Sequence, residues 1–130
     1  MTTFKVQGGQ KLKGEITPQG AKNEALQILC AVLLTKDEVV IENVPNIRDV
    51  NILINLLKDL NVEVNQTSDE TYRFKAEKIN IDYLASDEYK KKSSSIRGSI
   101  MMIGPLLARY GKGFIPRPGG DKIGRRRLDT

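Results

Sequence analysis

Three places along the 130-residue chain gather residue types suited to holding an anion and delivering a proton to it. In "QGAKNEA", Gly20 permits a tight approach into a helix whose first N–H groups favour negative charge. Lys22 adds a point charge there, and Asn23 a neutral donor and acceptor. In "SSIRGS", Arg97 stands in the first turn of a later helix, where the helix dipole prefers Asp or Glu. In "PRPGGDKIGRRRLDT", the carboxylate of Asp121 follows Gly119 and Gly120 and precedes Arg125, Arg126 and Arg127. Pro118 and the glycines interrupt regular structure, and Gly124 adds a second joint. That segment reads either as a cationic loop able to fold over a phosphate or as a solvated basic tail. Lys22 with Asn23 can equally be a solvent-facing lysine beside a capping residue, and Arg97 one half of a surface ion pair.

Composition removes several other chemistries. The chain has no histidine, which excludes imidazole catalysis and histidine metal ligation within it. Cys30 is its one cysteine, so it forms no internal disulfide and no cysteine metal cluster. Cys30 lies in an apolar stretch without basic neighbours and reads as core. Aromatics make up 5% with no Trp, too few for a base-stacking platform. The net charge of +5 is local, because Arg117, Lys122, Arg125, Arg126 and Arg127 face Asp121 alone. A nucleic-acid footprint is broader than that, so the implied partner is a small anion. No apolar run reaches membrane-spanning length and no leader pattern is visible, so the expectation is a soluble cytoplasmic protein without a membrane or nucleic-acid partner.

The elements that must position these residues follow from periodicity. "TFKVQG" and "KLKGEITP" read as two short strands about the Gly8–Gly9 turn. Residues 21–34 form a helix that is apolar nearly all round from Ala25, hence buried on most sides. A strand is centred on 39–41, and Asn46 can cap the next helix, with Asp49 in its first turn. Val50, Leu53, Ile54, Leu57 and Leu60 make the apolar stripe of that helix. A hairpin turns at 67–70, followed by a strand at "INIDYL" and a solvated lysine loop at 90–92. A third helix starts near 93–95 with Ile96, Ile100, Ile103 and Leu107 on one stripe, kinked or loosened by Gly104–Pro105. "GKGFIPRP" closes the series as a strand. The pattern is mixed α/β in layers. An echo at an offset of 74 residues pairs Leu26 with Ile100, Leu29 with Ile103, Leu33 with Leu107 and Ile41 with Ile115. It suggests a repeated helix–strand unit and a chain that ends before a third copy.

Five segments, "FKVQGGQKLKGEI", "GAKNEALQIL", "VIENVPNIRDV", "SSIRGSIMMIGPLLARYGKG" and "PGGDKIGRR", together resemble the UDP-N-acetylglucosamine 1-carboxyvinyltransferase family of enolpyruvyl transferases, over essentially the whole chain. The sister enzymes making 5-enolpyruvylshikimate 3-phosphate typically carry Lys-Ser where this chain has Lys22-Asn23, and lack the acid-bearing Pro-Gly-Gly loop. The resemblance implies an α/β fold of repeated small units in an inside-out barrel, helices inside and sheets outside, of which this is a partial domain. Residues 1–18 would be strands packing with a second domain, and residues 19–130 the first part of the N-terminal catalytic domain, ending in the catalytic loop.

The same resemblance implies transfer of the enolpyruvyl group of phosphoenolpyruvate to the 3-hydroxyl of UDP-N-acetylglucosamine with release of phosphate, without a cofactor or metal. Lys22, Asn23 and Arg126 would bind phosphoenolpyruvate. Asn23, Arg97, Arg126, Arg127, Leu128 and Asp129 would bind UDP-N-acetylglucosamine. Asp121, in the position more often held by Cys, would be the proton donor. The neighbouring cations favour its ionised form, whereas a general acid needs its proton, so the expectation is that closure over the substrate raises its pKa. Arg127 departs from a common Pro. The general base for the sugar hydroxyl would lie in the second domain, leaving these 130 residues an inactive piece by themselves. Two other functions stay open on the residues: a shikimate-type transferase and a small basic polyanion-binding module.

Overall fold

The computed structural model describes residues 3–117 and 119. Helix α1 (Lys22–Ala31) runs into a 3-10 turn (Val32–Leu34), followed by β1 (Glu38–Ile41) and α2 (Arg48–Asp59). Strands β2 (Glu63–Gln66) and β3 (Tyr72–Lys75) come next, then a 3-10 segment (Ile81–Ala85) and α3 (Asp87–Ser93). A longer 3-10 segment (Arg97–Met102) leads directly into α4 (Ile103–Tyr110). The mixed helix-and-sheet expectation holds.

Helix α2 is the clearest case of sequence dictating structure. Val50, Leu53, Ile54 and Leu57 recur at the helical period and all are buried, while Asn51, Asn55 and Lys58 face solvent. Leu56 and Leu60 widen the buried stripe. Each such leucine contributes about 1.5–3 kcal/mol by leaving water. Asn46 does not cap this helix. Ile47 occupies the cap position, with no side-chain cap bond, and Asn46 Oδ1 accepts a 2.8 Å hydrogen bond from Asn51 Nδ2.

Helix α1 buries Ala25, Leu26, Leu29 and Cys30 on one face. It is not buried on most sides: Ile28 and Leu34 remain 42% and 53% exposed. The sheet has the order β1-β3-β2 and both pairings are antiparallel. Phe74, fully buried at its centre, sits between Val39 and Val64 and stacks against Tyr72 with ring centroids 6.0 Å apart. Outward-facing Glu38 accepts a 3.0 Å bond from Arg73 across the β1–β3 pair.

Four expectations are corrected. Residues 3–20 contain no strand, because nothing among the described residues supplies a ladder partner; Phe4, Val6, Leu12 and Ile16 stand 87–97% exposed. "INIDYL" is a 3-10 segment, and the lysine run beyond it is helix α3. Ser86 caps α3 by accepting from the Tyr89 N–H at 3.1 Å, Asp87 and Glu88 fill its first turn, and Lys90 to Lys92 its last, all favourable to the helix dipole. Lys90 and Lys92 are paired, with Asp87 and with Asp59 and Glu88 respectively. "GKGFIPR" is likewise not a strand among the described residues.

The third expected helix begins instead as a 3-10 segment, and this changes which residues face inward. Three residues per turn bury Ile96, Ser99 and Met102, then Leu106, whereas Ile100 and Ile103 are half-buried and Leu107 is 48% exposed. The 74-residue echo therefore pairs buried positions of α1 with partly exposed ones. Pro105 falls in the first turn of α4, where its missing N–H is tolerated, so it marks the junction and does not loosen the end. Helix α4 ends at Gly111, whose φ of +65° lets its N–H reach the Leu107 carbonyl at 3.0 Å. The Arg109 guanidinium ties this end to the rest, donating to the carbonyls of Leu33, Thr35 and Ala76 at 3.2, 2.8 and 2.6 Å. Among the described residues, no helix is long and apolar enough to cross a membrane.

Candidate active site

The start of α1 is fixed by backbone contact. A Cβ on Gly20 would run into the Asn43 carbonyl oxygen and crowd the Pro45 ring, so only glycine lets the chain turn into the helix here. The tight approach expected of Gly20 is present. Ala21 holds the cap position and offers no side-chain acceptor, which leaves the first N–H groups of α1 without a side-chain cap. Lys22 and Asn23 follow at once and both are exposed. The Lys22 ammonium lies 2.8 Å from the Asp49 carboxylate in the first turn of α2, so two helix starts stand side by side. Sequence reasoning took Asp49 only as an acid favourable to its own helix; its link to Lys22 is a tertiary fact.

Arg97 opens the 3-10 segment after buried Ile96. The next residue, Gly98, presses on α1: a Cβ there would lie 2.8 Å from Leu26 Cδ1. Leu26 is one turn beyond Lys22, so Gly98 sets Arg97 beside the first half of α1. The Arg97 side chain is half-buried, with no side-chain hydrogen bond or ion pair among the described residues.

The corner before Arg97 is dense with hydrogen bonds. Ser93 Oγ donates to Tyr89 O at 2.6 Å, Ser95 Oγ to Lys92 O at 2.6 Å, and Ser94 Oγ to Lys91 O at 3.0 Å. Ser99 Oγ, fully buried, donates to the carbonyls of Ser93 and Ile96 at 2.6 and 2.9 Å. Gly119 meets this corner, for a Cβ on it would collide with the Ser94 carbonyl oxygen. Its place in the Pro-Gly-Gly stretch thus brings the root of the expected loop to within three residues of Arg97 in sequence. Asp121, Arg126, Arg127, Leu128 and Asp129 lie outside the described residues.

The contact of Gly98 with Leu26 thus puts the segment that opens with Arg97 on the helix that opens with Lys22 and Asn23. A cavity of about 480 Å³ lies elsewhere, lined by Ile81, Leu84, Ala85, Lys90, Lys112 and Phe114 among others. Cys30 plays no chemical part, since burial pushes its thiol up to about 12. Among the described residues no cluster of acids and cysteines could hold a metal.

Comparison with known proteins places the chain. Residues 6–130 match the family described as EPSP synthase (3-phosphoshikimate 1-carboxyvinyltransferase). A protein of Bacteroides thetaiotaomicron named UDP-N-acetylglucosamine 1-carboxyvinyltransferase is 58% identical over 130 residues, all of this chain and 30% of that protein. One of the same name from Porphyromonas gingivalis is 52% identical, again over the whole chain and 30% of the relative. The chain thus spans under a third of the length of the curated relatives it matches. Among solved structures, the enolpyruvyl transferase NikO from Streptomyces tendae is similar with a TM-score of 0.66 at 23% identity, over 80% of this chain and 23% of that one. That likeness concerns the fold.

Proposed function

The chain belongs to the EPSP synthase family, and from that premise we propose that it supplies the phosphoenolpyruvate-binding part of a UDP-N-acetylglucosamine 1-carboxyvinyltransferase. The observation that carries this reading is the packing of the Arg97 segment on α1 through Gly98 and Leu26, which joins that segment to the helix whose start bears Lys22 and Asn23. Relatives of that name at 52–58% identity support the substrate assignment.

In the proposed reaction the 3-hydroxyl of the sugar gives its proton to a general base of the second domain as its oxygen bonds to C2 of phosphoenolpyruvate, while C3 takes a proton from Asp121. A tetrahedral intermediate results. The C2–O bond to phosphate then breaks, C3 gives up a proton to an ionised carboxylate of the closed site, and the enol ether forms with phosphate as leaving group. Lys22, Asn23 and Arg126 hold phosphoenolpyruvate, so that charge shifting onto the leaving group meets fixed cations. Asn23, Arg97, Arg126, Arg127, Leu128 and Asp129 line the nucleotide-sugar side. Residues 1–18 pack against a second domain, a role that suits the near-complete exposure of Phe4, Val6, Leu12 and Ile16. The product feeds cell-wall precursor synthesis in the cytoplasm, and with it cell shape and division. Without a thiol at position 121, the site resists fosfomycin.

The test uses the protein at the length of its relatives. Phosphate release from phosphoenolpyruvate that requires UDP-N-acetylglucosamine supports the reading. Release that requires shikimate 3-phosphate instead assigns the sister reaction. Salt-sensitive binding to generic RNA with no substrate turnover assigns a polyanion-binding module.

A further inference from the structure

At the corner between α3 and Arg97, four serines perform a task that the substrate-binding residues do not explain. Ser93, Ser94 and Ser95 each donate their hydroxyl to a carbonyl three or four residues earlier. Ser99 reaches back from the 3-10 segment to the carbonyls of Ser93 and Ile96. Backbone bonds from Ser94 N to Lys90 O and from Ser95 N to Lys92 O, both at 3.1 Å, close the turn. Beneath it the Tyr89 ring is fully buried, and its hydroxyl donates to Phe114 O at 2.8 Å, fixing the chain that runs toward Gly119. The Ser94 carbonyl is thus held on a braced support, and Gly119 rests against it with no room for a side chain. If a methyl group were added at 119, the chain carrying Gly119 would have to move, since the corner has little freedom to yield.

We propose that the serine-braced corner Ser93–Ser99 is a positioning element, whose Ser94 carbonyl seats Gly119 and so fixes where the chain enters the Asp121 segment. Asp121 follows that seat by two residues. Under this inference position 119 requires glycine because of contact. The inference rests on the enolpyruvyl transfer proposed above for its catalytic consequence, but not for its structural one.

Gly119→Ala in the full-length protein tests it. The expected turnover falls about tenfold to a hundredfold, as for a catalytic group displaced by about 1 Å. Binding of UDP-N-acetylglucosamine alone, measured by calorimetry, stays within about twofold, and the thermal midpoint is unchanged. Amide hydrogen exchange at residues 112–119 quickens while that at 22–34 does not. Ser99→Ala, which loosens the support without touching the loop, moves turnover and exchange at 112–119 in the same direction. Wild-type exchange and turnover in Gly119→Ala would overturn the inference. If the wild-type protein transfers no enolpyruvyl group, the functional reading fails, and the exchange difference still decides whether the seat exists.

Discussion

The ammonium of Lys22 lies 2.8 Å from the carboxylate of Asp49, and this pair joins the first turn of α1 to the first turn of α2. Both partners are partly exposed, at 43% and 34% of their side chains, so the pair stabilises the fold by less than about 1 kcal/mol. Its value is positional: it holds a cation over the uncapped start of α1. Lys22→Met should therefore shift the denaturation midpoint little. In the full-length protein it should raise KM for phosphoenolpyruvate about tenfold or more, the scale of one lost charge-assisted bond. Chemical denaturation and initial rates check the two halves of that statement.

Cys30 is 1% exposed and burial pushes its thiol up to about 12 from an ordinary value of 9.0. The folded chain should give no reaction with a thiol reagent at neutral pH, and one equivalent after denaturation. The sign of the pH dependence follows from the raised value. Below pH 9 both states keep the proton and stability is unaffected. Between 9 and 12 only the unfolded chain loses it, so this group's contribution falls as pH rises, at up to about 1.4 kcal/mol per unit. Cys30→Ala should flatten that alkaline slope in urea titrations.

Arg109 donates to three carbonyls from two separate parts of the chain and lies 5.0 Å over the Tyr110 ring. Arg109→Ala should cost about 2–3 kcal/mol, because it leaves carbonyl groups at the end of α1 and the end of β3 without this donor. Arg109→Lys should recover less than half, since one guanidinium nitrogen, Nη1, reaches all three carbonyls and the shorter lysine stem does not carry its ammonium to that point. A urea titration of the two variants distinguishes them from a site where charge alone mattered.

Gly20 and Gly98 both sit against neighbours, but against different kinds. A methyl group at 98 meets the end of the Leu26 side chain, which can rotate, so Gly98→Ala should cost about 1–3 kcal/mol. At 20 it meets the Asn43 carbonyl, which cannot move alone. Gly20→Ala should be the more damaging of the two, and a larger loss of midpoint for Gly98→Ala would contradict this assignment.

Asp121 is expected to replace a thiol as proton donor. The wild-type full-length protein should carry no fosfomycin adduct by mass spectrometry, whereas Asp121→Cys should gain one at that residue. The same substitution should shift the pH profile of turnover, because a carboxylic acid and a thiol titrate far apart. An unchanged profile would count against Asp121 as the donor.

Much of this protein was legible in its residues because the deciding forces are local. The stripe of α2 and the β2–β3 hairpin follow from periodicity and turn chemistry, and the core location of Cys30 from its apolar surroundings. Helix α3 was legible in principle: Ser86 followed by Asp87 and Glu88, with lysines in the last turn, is a capped and dipole-matched helix, obscured by the high charge of the run. The candidate site residues Lys22, Asn23 and Arg97 could be nominated from charge and helix position, and the Pro-Gly-Gly-Asp stretch from its composition.

What tertiary structure decided was geometry between distant segments. The inward face at 96–106 depends on three residues per turn giving way to 3.6, and that choice is set by packing on α1, where Gly98 must fit Leu26. The strands expected at 3–8, 11–18 and 111–118 find no ladder partner among the described residues, and no pattern of side chains can supply one from within one segment. The pairing of Lys22 with Asp49, and the seat of Gly119 on Ser94, join residues far apart in sequence. Periodicity reports which face of an element is apolar; only the packed chain fixes what that face, or that charge, meets.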